Sequence, residues 1–218
     1  MGLKQKKVII AVPARLESKR LPNKILKDIC GRAMLRWVLD NCNLCNIECE
    51  IIVFTDSLKI KKIVEEWGYK AKITSRNCKS GSQRIASVMN GSTFSPLNEC
   101  LENTLVINVQ GDQPFIDPNI IEKIANIFLN KKNFNVITPI YKLKKENIHN
   151  PNVVKVLVST KGEALYFSRS AIPHVRDKSP LEWHKYYDYW GHVGVYGYKA
   201  SILSEWELIP YSKLEEIE

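Results

Sequence analysis

No stretch of this 218-residue chain approaches the roughly 18 consecutive apolar residues that a membrane-spanning helix needs. The apolar run behind the basic N-terminus, Val8-Ile9-Ile10-Ala11-Val12, is too short for a signal-peptide core, and the expectation is a cytoplasmic protein with no membrane association. Neither the G-x4-G-K-[ST] phosphate loop nor the G-x-G-x-x-G dinucleotide turn occurs, which removes the two most familiar nucleotide signatures. Paired metal-ligand sets are missing too. Cys42, Cys45 and Cys49 form C-x2-C-x3-C with no evident fourth ligand, so the reading is free thiols, not zinc or an iron–sulfur cluster. There is no internal repeat and no low-complexity linker. With 44% hydrophobic and 25% charged residues, the composition excludes a disordered, collagen-like or coiled-coil chain. The length suits one large domain, or one domain with a small appendage.

Positive charge is in excess and unevenly placed. The formal net charge is +9. Ten Lys and Arg residues lie within positions 1–36 (Lys4, Lys6, Lys7, Arg15, Lys19, Arg20, Lys24, Lys27, Arg32 and Arg36), against only Glu17 and Asp28, and the rest of the chain is close to neutral. An anionic partner is expected, and nucleic acid, membrane or a phosphorylated small molecule would each serve. Arg15, Lys19, Arg20 and Lys24 share one loop pinned by Pro13 and Pro22, with few aromatics between them for base stacking. That argues against nucleic acid. An arginine fork and mobile lysine charges suit a polyphosphate.

Hydrophobic patterning predicts strands at 8–12, 51–54, 71–73, 105–109, 136–141, 153–158, 164–167 and 192–198. Helices are predicted at 33–45, 57–67, 82–89 and 120–129, the last opened by Asp117 as N-cap and Pro118. The alternation implies an α/β fold with an open, mostly parallel sheet and helices on both faces. Ligands of such sheets bind beyond the carboxyl ends of the strands. Three of those ends carry polar groups: Pro13-Ala14-Arg15, Thr55-Asp56 and Gln110-Gly111-Asp112. Asp112 is a candidate Mg2+ ligand, with a loop-closing role as the alternative. Gly191, Gly194 and Gly197 read as close backbone packing, and His192 alone would read equally as a satisfied strand histidine. The aromatic insert (Trp183, Tyr186, Tyr187, Tyr189, Trp190) reads as packing or dimer contact.

Several segments in fixed order resemble one family. Ala11-Val12-Pro13-Ala14-Arg15 through Arg20-Leu21-Pro22-Asn23-Lys24 is similar to the P-A-R-x4-R-L-P-G-K loop of 3-deoxy-manno-octulosonate (Kdo) cytidylyltransferases. Ser80 to Arg84 is similar to S-G-T-[ED]-R, and Asn108 to Pro114 to N-V-Q-G-D-E-P. Asn152 to Val156, Ala164 to Arg169, His192 to Tyr198 and the closing Leu214-Glu215-Glu216-Ile217-Glu218 keep the family's order. Cys78 stands in place of His, Ser82 of Thr, Gln83 of an acid and Gln113 of Glu.

The resemblance implies an α/β nucleotidyltransferase with a smaller sugar-binding and dimerisation part, divided near residue 159. The implied enzyme is a homodimer that uses Mg2+ to join CTP to Kdo for lipopolysaccharide synthesis, releasing pyrophosphate. It implies Arg15 and Lys24 as catalytic residues on the triphosphate, with Ala14, Ser80, Gly81 and Gln110 around the nucleotide. Asp112 would bind the metal, and Arg176, His192 and Tyr196 would face the sugar acid. The family's sequence continues past the position of Glu218 with L-E-Q-L-R and a V-D-T-P segment bearing a second metal ligand. The expectation is a truncated form of a complete enzyme, or a protein that has lost part of its site. Another acidic sugar as acceptor, and a nucleotide-binding or dimerising relic, are the alternatives.

Overall fold

Continuous apolar sequence places the central strands. Lys7–Ala14 (β1) is buried along all but its first residue, and Glu50–Thr55 (β4) and Thr104–Asn108 (β6) flank it with parallel registers. The computed structural model describes residues 6–18, 21–89, 101–130, 134–210 and 212–217. In chain order the elements are β1, the short hairpin of Asp28–Ile29 (β2) and Arg32–Ala33 (β3), Met34–Asn43 (α1), β4, Leu58–Glu66 (α2) and Lys70–Ile73 (β5). Gly81–Met89 (α3), β6, Pro118–Asn130 (α4), Val136–Ile137 (β7), Ile140–Lys142 (β8), Lys155–Val158 (β9) and Ala164–Ser168 (β10) follow. Trp190–His192 (β11), Tyr196–Lys199 (β12), Ala200–Ser204 (α5) and Lys213–Ile217 (α6) complete the order.

The chain folds as two compact units, residues 1–137 with 195–209 and residues 138–194 with 210–218. The first holds a six-stranded sheet in the order β5-β4-β1-β6-β12-β7. Only β12 runs against the others, pairing antiparallel with β6 and β7. Alternation along the strands assigns two faces. Ile9, Ala11, Ile52, Phe54 and Val106 pack with Ile85, Ala86 and Met89 of α3 and with Ala200 and Leu203 of α5. The opposite face carries α4, whose Ile124 sits against Gly197, with α1 beside it. The expected α/β fold, with a mostly parallel sheet and helices on both faces, is thus present.

Helix starts follow local chemistry. Ser57 caps α2 by accepting from the Ile60 N–H. Asp117 turns its carboxylate onto the Asn119 N–H ahead of Pro118, as its position before α4 suggests.

Two predicted strands are each divided between sheets. Residues 136–141 split into β7, in the first sheet, and β8, in the second, at Thr138-Pro139. Proline has no N–H to give a ladder. Residues 192–198 split at Val193–Val195, where Gly194 takes φ +76°. Residue 159, near which the sequence changes character, lies inside the second unit between β9 and β10.

The second unit is a four-stranded antiparallel sheet in the order β10-β9-β11-β8. Its core is Leu143, Ile148, Trp183 and Tyr189, with Tyr187 against it, so three of the five aromatics of the insert are packing. Trp183 and Tyr189 stack at 6.3 Å between centroids, and each donates its polar hydrogen to a backbone carbonyl, Lys178 and Pro173 respectively. Lys155 is wholly buried here, its ammonium donating to the carbonyls of Asn150, Val153 and Arg169.

Candidate active site

At the carboxyl end of β1 the chain enters the basic loop with Pro13 and Ala14 still buried and Arg15 exposed. Lys19 and Arg20 lie outside the described residues. The loop is re-anchored at Lys24–Leu26 by a 3-10 turn whose Ile25 is buried. Asn23, just before it, adopts φ +54°, a conformation that glycine takes freely and asparagine tolerates better than other residues. The family loop has glycine at this point, so the substitution preserves the backbone.

Beyond the end of β6 the chain stays tied to β1: the Val109 N–H donates to Ala11 O at 3.0 Å and the Gly111 N–H to Pro13 O at 3.3 Å. A β-carbon at Gly111 would lie 2.9 Å from Pro13 O, so close approach of two backbones dictates glycine. This zipper carries Gln110 and Asp112 across to the basic loop. There Lys24 Nζ donates to Asp112 Oδ2 at 2.7 Å, with both side chains half-exposed.

A third segment closes the site. Ser80 Oγ accepts from the Gln83 N–H at 3.1 Å, and Gln83 Oε1 accepts from the Lys79 N–H at 2.6 Å. The paired arrangement resembles a capping box displaced by one residue. Gln83 supplies the acceptor oxygen that an acid would supply there. Gly81, at the start of α3, has so little room that a β-carbon would come within 2.9 Å of the Pro13 ring and 3.0 Å of Gln110 Oε1.

Ala14, Arg15, Lys24, Ser80, Gly81, Gln110 and Asp112 therefore line one cleft of about 650 Å³. All seven residues expected at the nucleotide, the phosphates or the metal converge on it. Arg15, Lys24 and Lys79 bring positive charge, and Asp112 is the one carboxylate lining the cleft among the described residues. No group of three His, Cys, Asp or Glu side chains among those residues is placed to hold a metal ion. A single half-exposed carboxylate still fits Mg2+, which keeps several waters and shares its coordination with substrate phosphates.

The residues expected at the sugar are distributed differently. Arg176 is on an exposed loop of the second unit beside Asp177, with 3.3 Å between the charged atoms. His192, in the same unit, has Nε2 2.7 Å from Thr138 Oγ1 and its ring edge-on to Phe167. Burial holds its pKa below the ordinary histidine value. Tyr196 belongs to the first unit, stacked on Tyr198 at 5.7 Å.

Several contacts at the cleft were not legible in the sequence. Arg84 is buried at the cleft, donating to Asp56 Oδ2 at 2.8 Å, Thr74 Oγ1 at 2.6 Å and Ser75 O at 3.2 Å. It ties α3 to the ends of β4 and β5. Thr55-Asp56 was visible as a polar strand end, but nothing local named its partner. Asn108, Ser82 and Tyr198, linked behind Gln110, each fall within a family-like segment, but nothing in the sequence paired them with one another. At the amino ends of β4 and β5, Cys42, Cys45 and Cys49 line a separate cleft as free thiols, and burial pushes the acidity of each away from thiolate formation.

The family profile described as Cytidylyltransferase matches residues 9–218. A 3-deoxy-manno-octulosonate cytidylyltransferase of Idiomarina loihiensis is 37% identical over 96% of this chain and 83% of its own length. That of Francisella tularensis subsp. holarctica is also 37% identical, over 96% of this chain and 81% of its own. Among solved structures, a CMP:2-keto-3-deoxy-manno-octonic acid synthetase complexed with CTP superposes with a TM-score of 0.84 at 32% identity, over 97% of this chain and 81% of that one. A cytidylyltransferase from Leptospira borgpetersenii shares the fold at 18% identity, with a TM-score of 0.59 over 97% of this chain and 68% of that one.

Proposed function

Because this chain belongs to the cytidylyltransferase family, we propose that it transfers the cytidylyl group of CTP to 3-deoxy-D-manno-octulosonate, giving CMP-Kdo and pyrophosphate for lipopolysaccharide synthesis. The observation that carries this reading is the convergence of three distant segments on one cationic cleft at the carboxyl ends of β1 and β6 and the start of α3. The sugar's anomeric hydroxyl attacks the α-phosphorus in line, and pyrophosphate leaves. Arg15 and Lys24 bind the β- and γ-phosphates and offset the charge that grows on the leaving group. An exposed lysine–carboxylate pair is worth only about 0–1 kcal/mol, so Lys24 can leave Asp112 for a phosphate at little cost. Gln110 and the Ser80-Gly81 turn orient the base. Asp112 would hold Mg2+, which when bound neutralises phosphate charge and acidifies the attacking hydroxyl.

Arg176, His192 and Tyr196 are assigned to the sugar acid, whose carboxylate calls for a cation. The reading includes a homodimer acting in the cytoplasm, and sedimentation at micromolar concentration tests the dimer. Among the described residues no helix is long and apolar enough to cross a membrane. The decisive assay measures pyrophosphate release with CTP, Mg2+ and Kdo. Release that needs Kdo is expected, and nucleotide turnover indifferent to the sugar would overturn the assignment.

A further inference from the structure

Arg84 lines the cleft with 3% of its surface exposed, whereas Arg15 and Lys79 beside it are open to solvent. A guanidinium this deep has to spend its donors on the protein. Nη1 donates to Thr74 Oγ1 at 2.6 Å and to Ser75 O at 3.2 Å, and Nη2 donates to Asp56 Oδ2 at 2.8 Å. Thr74 and Ser75 directly follow β5, and Asp56 directly follows β4. The two strand ends are themselves tied, the Thr74 N–H donating to Thr55 O at 2.8 Å. One arginine of α3 thus holds both of them.

What lies between those ends and α3 gives this grip its interest. From Ser75 the chain runs without helix or strand to α3, and on the way it supplies Cys78, Lys79 and Ser80 to the cleft. Arg84 fixes the start of this segment through the Ser75 carbonyl, and its own N–H donates to Ser80 O at 3.1 Å, at the far end. Side chains of a helix lean toward its N-terminus, so the arginine stem runs beneath Ser80 and Gly81. The Lys79 N–H also meets α3, donating to Gln83 Oε1 at 2.6 Å, while the Asn77 N–H donates to Ser75 Oγ at 3.1 Å, within the segment. Of these bonds, only the one from the Arg84 side chain ties the start of the segment to the helix.

We propose that Arg84 is a positioning residue for nucleotide binding: by holding segment 75–80 it keeps the Ser80-Gly81 turn in the arrangement that accepts CTP. The inference rests on the cytidylyl-transfer reading for its ligand. Apparent affinity scales with the fraction of molecules in the competent arrangement, so a turn correctly placed about a tenth of the time binds about tenfold more weakly. The competing role is neutralisation of Asp56, whose side chain is 17% exposed. Removing one partner of such a pair leaves the other charge buried and alone, whereas removing both charges does far less harm. That difference separates the two roles.

Arg84→Met, and Arg84→Met combined with Asp56→Asn, are compared with the unmodified chain by thermal melting, CTP calorimetry and hydrogen exchange read by mass spectrometry. The single variant should melt several degrees lower. The double variant should regain most of that loss and still bind CTP about tenfold more weakly than the unmodified chain. Backbone amides of residues 76–80 should exchange at least about tenfold faster in both variants, while those of β1 and β6 keep their protection. Exchange is read well below each melting point, so it decides even where the double variant regains little. CTP affinity that recovers along with the melting temperature would reduce Arg84 to a partner of Asp56 and overturn the proposal. So would unchanged exchange at 76–80, or a loss of protection spread evenly over the sheet, as general destabilisation gives. An unmodified chain that binds no CTP would instead count against the proposed reaction, and the exchange measurement, which uses no ligand, would still show whether Arg84 holds the segment.

Discussion

Lys24 has two possible partners, and only one of them changes during the proposed reaction. In the cleft its ammonium meets Asp112 at 2.7 Å, and both groups are wet enough for water to screen the pair. On the triphosphate, the same ammonium faces charge that increases as pyrophosphate departs. Lys24→Ala should therefore lower kcat about 10²-fold, a transition-state loss on the order of 3 kcal/mol, while the thermal midpoint stays nearly constant. Steady-state kinetics beside a melting curve checks both halves, and an unaltered kcat would remove Lys24 from the chemistry. The arginine and lysine of this loop were legible because charge of one sign accumulates after a buried strand. The pairing of Asn108, Ser82 and Tyr198 was not. Ser82 is 26 residues from Asn108 and 116 from Tyr198, and a polar atom within an apolar strand pattern does not announce what it will meet.

The element that most constrains the first sheet is β12, which enters against the direction of its neighbours. Its Gly197 leaves room for α4: a β-carbon there would lie 2.6 Å from Ile124 Cγ2 and 2.8 Å from Ile137 Cγ2. Overpacking of this kind costs roughly 1–3 kcal/mol. Gly197→Ala should lower the melting temperature by several degrees, given about 2–4 °C per kcal/mol in a chain of this size. An unchanged melting curve would show that α4 yields freely. Gly191 is crowded in the same way by Leu143 and Tyr141, so close packing explains two of the three spaced glycines, and backbone conformation explains Gly194. Apolar runs revealed β1, β4 and β6 because a strand covered on both faces has no polar interruptions. The same rule joined 136–141 and 192–198 into single strands. Apolar character says that a strand is buried but not in which sheet, and the only marks of transfer were Pro139 and Gly194.

For the molecule as a whole, acidity bears on stability through His192. Its folded pKa lies below the ordinary 6.5 because burial disfavours the charged ring. Below pH 6.5 the unfolded chain takes up a proton that the folded one refuses. Stability contributed by the neutral ring is thus full above about pH 7 and lost as pH falls through 6.5 toward the folded value. His192→Gln should shrink the drop in melting temperature between pH 7.5 and 5.5, and equal drops in both proteins would exclude this histidine as a source. Acid acts by charging a ring. Lys155 offers a different case, an amine buried and enclosed by carbonyls of residues 150, 153 and 169. No acylating reagent can reach that nitrogen until the surrounding backbone opens, whereas Lys62, with its side chain 81% exposed, is available at once. In a timed acetylation of the native protein followed by peptide mass spectrometry, Lys155 should lag Lys62 by about 10²-fold or more, and the lag should vanish in denaturant. Prompt labelling would show that the enclosure is not kept in solution. With the lag in place, one lysine becomes a chemical clock for the breathing of the second unit, readable without any substrate.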